Sequence, residues 1–598
     1  IGQCAGYSNT FGGSNNFIGK FAGCCNTTGN WNNFFGDSAG LCNTTGSCNN
    51  FFGISAGQNN TTGSNNNFFG KYAGFCNATG NNNVFIGTCA GYSNTFGSNN
   101  NFFGLQAGFN NVSGNGNIFI GTCAGYCSTF GFNNIFGGYK AGFSNTTGRY
   151  NNFFGLCAGV CNTTGCHNNF FGCSAGFSNT TGSNNNFIGQ CAGRNNTTGA
   201  YNNFFGCFAG NQNTTGSNNN FIGQCAGYAN TFGAYNTFLG LNTGRNNTTG
   251  RNNIFIGQNA GRYTTIAQNN IFLGALAGFC NTTGGYNTFI GLYAGRANTI
   301  GKNNIFLGHC SGRNNTSGCY NHFFGCSAGF NNTTGVNNTF IGNQAGFCNT
   351  IGYDNNYIGR YAGYYNTSGR HNQFMGAFAG FRITSGTYNQ FFGVNAGTCN
   401  TTGSYNNFMG IGAGRATTTG TRNTFIGSYA GCNNTYGSCN VVIGTHTNVP
   451  SATSSNQVVI SSGNATAACY SGAFSAWGNT SDGRDKINIQ NLPQGKDFLG
   501  KLRPVKFQWD FRDEEKKKLP PQGKEEAGLI AQEVQAVQEE YNADYLRLVD
   551  DNAPDSLGIY KTNFIPILIK AIQELDQENT ELRNTLKEVL KRLDAAGL

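Results

Sequence analysis

The chain has 598 residues, of which 93 are Gly and 54 Phe, and only 10% of the residues are charged. The charge is uneven: residues 1–440 hold 16 Lys/Arg against Asp37 and Asp354, a net +14, while the rest holds 18 basic and 22 acidic residues, a net −4. Two carboxylates far apart in 440 residues argue against the close acid pair of a glycosidase in that part of the chain. No signal peptide or transmembrane run is visible.

From Ile1 to Gly437 a phrase built on Asn-Asn-Phe-Phe-Gly, Ala-Gly and Asn-Thr-Thr-Gly recurs every 17 residues without insertion. Counted on its small residue it runs from Ala5 through Ala22 and Ala39 to Ala430, 26 registers with Thr243 and Ser311 as the only substitutes for Ala. An unbroken period of this length predicts a solenoid in which each unit touches only its neighbours. Such an array makes length and repeated surface rather than a pocket. Disorder does not fit, because disordered tracts keep no register and carry few bulky apolar residues. Ile1-Gly2 falls in mid-repeat, so the chain is expected to be a fragment with any N-terminal anchor, domain or export signal upstream.

Five residues before the small position stands Phe, as in Phe17, Phe34 and Phe51, in 24 of 25 units, with Tyr357 the exception. The next residue is usually Ile, Leu, Phe or Met. Neighbouring strand residues point to opposite faces, so the pair predicts a strand buried on both sides, the second layer coming from an identical chain. Two residues before the Phe, Asn is constant (Asn15, Asn32, Asn49, Asn66), and such a column can hydrogen-bond along itself. Asn-Thr-Thr-Gly predicts a second turn with Gly at positive φ. The fold class expected is mainly β: a parallel β-solenoid or β-roll of 17-residue repeats, homotrimeric, followed by a small α+β domain ending in a coiled-coil helix. The unit resembles the β-roll of trimeric adhesin heads, and the Asn-Thr-Thr-Gly arrays of many phage-fibre-like proteins.

Several side columns carry chemistry. Fifteen of the 25 Cys lie in two columns, one directly before the small residue (Cys4, Cys89, Cys123) and one three after it (Cys25, Cys42, Cys76). They read first as small apolar filler, with Cys25–Cys42 the adjacent-coil pair that suits a disulfide. The five His are dispersed, so no metal site and no cofactor is expected. Six Arg share the column two after the small residue: Arg194, Arg245, Arg262, Arg296, Arg313 and Arg415. They read as a solvated edge, or as a contact stripe for an acidic glycan or lipopolysaccharide phosphate. No aromatic is taken to interleave with them, which argues against nucleic acid. Asn-x-Thr/Ser sequons read as turn chemistry. A Thr/Asn ladder on a flat face permits an ice- or surface-binding reading, which the adjacency of the two Thr weakens.

Residues 441–480, with Val441–Ile443 and Val458–Ile460 as short apolar runs, read as a β-rich neck. Then follows Thr480-Ser481-Asp482-Gly483-Arg484-Asp485-Lys486. Ser-Asp-x-Arg-x-Lys resembles the start of the C-terminal intramolecular chaperone of endosialidase-type phage tailspikes, also found in phage fibres and myelin regulatory factor. The resemblance continues through Leu502-Arg503-Pro504-Val505, Gly528-Leu529-Ile530-Ala531-Gln532-Glu533-Val534, Gly558-Ile559-Tyr560 and Ala571-Ile572-Gln573-Glu574-Leu575. It implies a domain that trimerises, directs folding of the fibre before it and then cuts itself off, here between Thr480 and Ser481. It also implies a catalytic dyad of Ser481 and Lys486, with Asp482, Arg484 and Gln532 as candidates for positioning the loop. A Ser hydroxyl needs a nearby base, and Lys serves only when its pKa is lowered.

At the end, Leu568, Ile572, Leu575, Asn579, Leu582, Leu586, Val589 and Leu593 alternate at spacings of four and three, a coiled-coil seam with Asn579 as a register-fixing polar residue. The organisation expected is a shaft over 1–440, a neck over 441–480, a chaperone and autoprotease over 481–564 and a trimeric coiled coil over 565–598. The mature fibre is expected outside the cell, on a virion or cell surface. Its expected partners are its own copies and a host-surface glycan or other receptor, without nucleic acid or membrane insertion. A stalk of a glycan-degrading tailspike is a further alternative.

Overall fold

The computed structural model describes residues 1–461, 468–471, 486–508, 525–550 and 557–597. The chain divides into two compact units, Ile1–Thr480 and Ser481–Leu598.

In the first unit each coil contributes one three-residue strand, from β1 (Asn16–Ile18) to β26 (Val441–Ile443), and β27 (Gln457–Ile460) adds one more. All pair in parallel with like residues opposite: Phe187 faces Phe204, which faces Phe221. Val441 faces Val458, so the stack continues past the point where the repeated phrase breaks. β28 (Ala468–Ser471) then pairs antiparallel with β27.

The middle residue of each strand points inward. Phe204 is fully buried, and its ring stacks at 4.8 Å on Phe187 and Phe221 with planes 6–7° apart. Beside the rings lies the small column, Ala209 for this coil, also fully buried. Gly210 follows with φ +55, and a Cβ there would come within 2.5 Å of the Phe204 ring. The position needs Gly both for its backbone conformation and for the contact.

The Gly of Asn-Thr-Thr-Gly departs from the expectation. Gly216 is not in the left-handed region; a Cβ on it would instead meet the Gly233 carbonyl at 2.3 Å and Asn213 Oδ1 at 2.4 Å. Close backbone approach, not positive φ, holds that column to Gly. Ala267, its one exception, occurs in the coil where Thr264 replaces the Asn whose amide a Cβ would meet at the equivalent positions. The left-handed conformation falls instead on residues such as Phe208 (φ 58) and Asn218 (φ 60).

Two buried Asn columns close the coil. Asn202 donates from Nδ2 to the Gly216 carbonyl at 2.8 Å and accepts at Oδ1 from the Asn219 N–H at 3.0 Å. Asn213 donates to Asn196 Oδ1 at 2.6 Å and to the Gly216 carbonyl at 2.9 Å. A buried amide is costly unless paired, and here most are paired by their own copies or a turn carbonyl, with the Oδ1 of Asn111, Asn247 and Asn366 among the exceptions. The first Thr of the turn bonds the next coil, Thr214 Oγ1 to the Thr231 carbonyl at 3.1 Å, which leaves the second, Thr215, exposed.

The expected burial of both strand faces is not met within one chain. The residue after the inner Phe lies on the outer face: Ile188 is 41% and Ile222 42% exposed. A coil with one interior has room for one large apolar column. The other runs outside as a nearly continuous Ile/Leu/Phe/Met stripe, interrupted at Gly137.

In the second unit, helix α1 (Lys496–Lys501), the hairpin β29 (Val505–Gln508) with β30 (Glu525–Gly528), helix α2 (Ala531–Glu540), the short pair β31 (Val549–Asp550) with β32 (Gly558–Ile559), and the long helix α3 (Ile565–Ala596) follow in order. Their core gathers Phe498, Leu502, Val534, Val537, Leu548 and Ile567.

Candidate functional site

Described residues from three of the segments that carry the family resemblance, Arg503, Glu533 and Glu574, make the ion pairs and hydrogen bonds that join α1, α2 and α3 in the second unit. Leu502-Arg503-Pro504-Val505 forms the turn from α1 into β29, where Pro504 forbids continuation of the helix and favours an extended Arg503. Gly528-Leu529-Ile530 leads from β30 into α2, which carries Glu533 on its first turn. Arg503 Nε donates to Glu533 Oε2 at 3.2 Å, and Nη2 bonds the other carboxylate oxygen. This fork holds the Glu533 carboxyl below its ordinary range. The last of these segments, 571–575, reaches α1: the Lys496 backbone N–H donates to Glu574 of α3 at 2.7 Å, and this bond lowers the Glu574 carboxyl in turn. Lys496 Nζ bonds Glu578 and Lys501 pairs with Glu540, so α1 is held by carboxylates from both α3 and α2.

Of the site residues expected from sequence, Thr480, Ser481, Asp482 and Arg484 lie outside the described residues. Lys486 and Gln532 are both exposed. Gln532 stands at the rim of a groove of about 1130 Å³, lined by Leu502, Val505, Ile530, Ile559 and Leu568 among others.

Pro566 suits the first turn of α3, and only the start of the helix packs on its own unit, through Ile567 and Ala571. Beyond Ala571 the seam is open among the described residues: Ile572 is 64%, Leu582 66% and Leu586 59% exposed.

In the first unit the cysteines that are described are free thiols, half-buried or exposed apart from buried Cys310, and burial pushes several thiols up, Cys42 and Cys161 among them. His309 lies between Cys310 and Cys326, at 3.5 Å by Nε2 and 3.8 Å by Nδ1. No group of three metal-ligating side chains is found among the described residues.

The Arg column corrects the sequence reading. The six Arg do share one column, but aromatic rings share it with them. Arg194 lies over Phe177 at 5.6 Å, Arg245 over Tyr228 at 5.4 Å and Arg313 over Phe330 at 5.3 Å. Phe279 is flanked by Arg262 at 6.0 Å and Arg296 at 5.6 Å. Arg415 is exposed. The rings stand in the sequence at the same offset from the small residue as the Arg.

Residues 481–542 match the protein family described as chaperone of endosialidase. No curated protein matches the chain. No helix among the described residues is long and apolar enough to cross a membrane. The chain is therefore tail-fibre-like in arrangement: a parallel β-solenoid of 17-residue coils, followed in sequence by a C-terminal segment similar to the chaperone of endosialidase.

Proposed function

We propose that this chain is a homotrimeric fibre shaft whose C-terminal unit brings three copies into register, guides folding of the coils, and is then released by cleavage between Thr480 and Ser481. The observation that carries this reading is the uncovered seam of α3. A 32-residue helix that buries only its first turns against its own unit needs partners along the rest, and identical parallel helices supply them. The groove that Leu568 helps to line suits the flank of a second copy. The outer Ile/Leu/Phe/Met stripe suits the same association along the coils.

In the cleavage step Ser481 Oγ attacks the Thr480 carbonyl while Lys486 takes the hydroxyl proton; the Thr480–Ser481 C–N bond then breaks, that proton passing to the departing Ser481 amine, and water hydrolyses the Thr480 ester to a free carboxyl and the Ser481 hydroxyl. The family match, which begins at Ser481, supports this assignment. Coupling the cut to assembly gives the released shaft no route back to the chaperone. The mature fibre then serves adhesion or reach on a virion or cell surface. Ser481→Ala is the test: the variant should assemble but stay full length, and a variant that is cut like the parent refutes the dyad.

A further inference from the structure

Between Tyr228 and Phe330 the column two after the small residue reads Tyr228, Arg245, Arg262, Phe279, Arg296, Arg313, Phe330, one residue per coil. The order is symmetric about Phe279: ring, two Arg, ring, two Arg, ring. Every Arg has a ring on one side. The two Arg pairs are offset by three coils, about 14 Å at the strand spacing. The four residues are half-buried. Their Nε atoms are buried and have no hydrogen-bond partner, so each guanidinium is set into the wall.

These charges have no counterion in their own unit. Residues 1–440 offer Asp37 and Asp354 alone, and the ion pair seen there joins Asp354 to His371. In the second unit, by contrast, Lys496, Lys501, Arg503 and Lys506 all meet carboxylates. Four planar cations, fixed by ring stacking and unneutralised, form a row along the coil axis that suits an anion from outside.

The rings narrow the choice of anion. Single-stranded nucleic acid binds by laying bases on open ring faces. Here the faces of Phe279 are flanked by Arg262 and Arg296, which leaves its ring closed to a base; the exposed Tyr263 beside Arg262 stands outside this column. The adjoining column carries Asn246 and Asn314, amides that suit hydroxyl groups. We propose that Arg245, Arg262, Arg296 and Arg313, held by Tyr228, Phe279 and Phe330, bind a linear acidic polysaccharide lying along the coils, its carboxylates on the guanidinium pairs. The site lies far in sequence from residues 481–542 and does not depend on the assembly reading, since an uncleaved chain carries it equally.

The test is surface plasmon resonance of the full chain over immobilised polygalacturonate, with neutral dextran and a poly(dT) oligonucleotide as comparators. The expected result is saturable binding to polygalacturonate and none to dextran. Changing all four Arg to Gln should weaken binding about tenfold or more. A charge-matched variant elsewhere on the unit (Arg149→Gln, Lys302→Gln, Arg370→Gln, Arg422→Gln) should stay within about twofold of the parent. Phe279→Leu, which keeps all four charges but removes the central ring, should weaken binding by about threefold. Thermal melting establishes that each variant is folded. Equal losses in the two four-site variants, binding to poly(dT) as tight as to polygalacturonate, or no binding by the folded parent would each overturn the proposal.

Discussion

Arg503 and Glu533 stand 30 residues apart in sequence and meet as a two-pronged ion pair, Nε to Oε2 at 3.2 Å with Nη2 on the second oxygen. The pair joins the turn after α1 to the first turn of α2, and so ties together two of the segments by which this unit resembles its family. Both side chains are substantially exposed, so their value lies in geometry more than in stability. Arg503→Ala and Glu533→Ala are expected to be non-additive. The double variant should lower the melting point of the second unit no further than the worse single change, as read by differential scanning calorimetry of the uncut Ser481→Ala chain.

Acid should loosen the same unit. The Glu533 and Glu574 carboxyls are both held below their ordinary value, by Arg503 and by the Lys496 N–H respectively. A carboxyl with a depressed folded pKa stabilises above its unfolded pKa, and loses that contribution as pH falls through the folded value. Hydrogen-exchange protection of α1 and α2 in the Ser481→Ala chain, corrected for the intrinsic pH dependence of exchange, should therefore be unchanged from neutrality down to the ordinary carboxylate range and fall below it. Glu574→Gln should flatten the response of α1, because the amide cannot titrate.

The Asn columns make a sharper demand. Asn202→Ala removes a donor from the Gly216 carbonyl and an acceptor from the Asn219 N–H, both inside the coil. The Gly216 carbonyl keeps its bond from Asn213, so the orphaned group is the Asn219 N–H, at a cost of about 1–3 kcal/mol. Asn202→Asp should be at least as harmful near neutrality, since a carboxylate offers no N–H to Gly216. Chemical denaturation monitored by protease cutting near residue 202 reads both effects.

Phe204→Ala leaves a void between Phe187 and Phe221, which sit 4.8 Å to either side of the ring. The expected cost is about 3–5 kcal/mol per chain. In a stack of coils that loss stays local, so limited proteolysis should cut near residue 204 while the coils on either side remain resistant. Uniform sensitivity along the unit would contradict the nearest-neighbour picture.

The period, the parallel class, the inner Phe and Asn columns and the terminal helix were legible because each rests on a strict recurrence. What escaped depended on geometry within one coil. Gly216 was read as a positive-φ residue, yet its restriction comes from the Gly233 carbonyl, which only a three-dimensional stack brings close. The column after the inner Phe is expected to be buried on a second face, and within a single chain it is only partly covered, Phe205 half-buried and Ile188 and Ile222 exposed. Tyr228 and Phe279 share the offset of the Arg column, so the interleaving is legible in the sequence once the whole column is taken together. The links from Arg503 to Glu533 and from Lys496 to Glu574 had no sequence signal, since each joins elements distant along the chain.

The central claim is that three copies assemble through the C-terminal unit, which then leaves. The most direct measurement is the mass of the folded product under native conditions, set beside a denaturing gel of the same sample. The account predicts a trimer of shafts, with a fragment corresponding to residues 481–598, 118 in number, on the gel. It also predicts that the Ser481→Ala chain is a trimer of intact chains. A parent that is folded, monomeric and uncut would contradict both assembly and release. A trimer that stays uncut would contradict release alone.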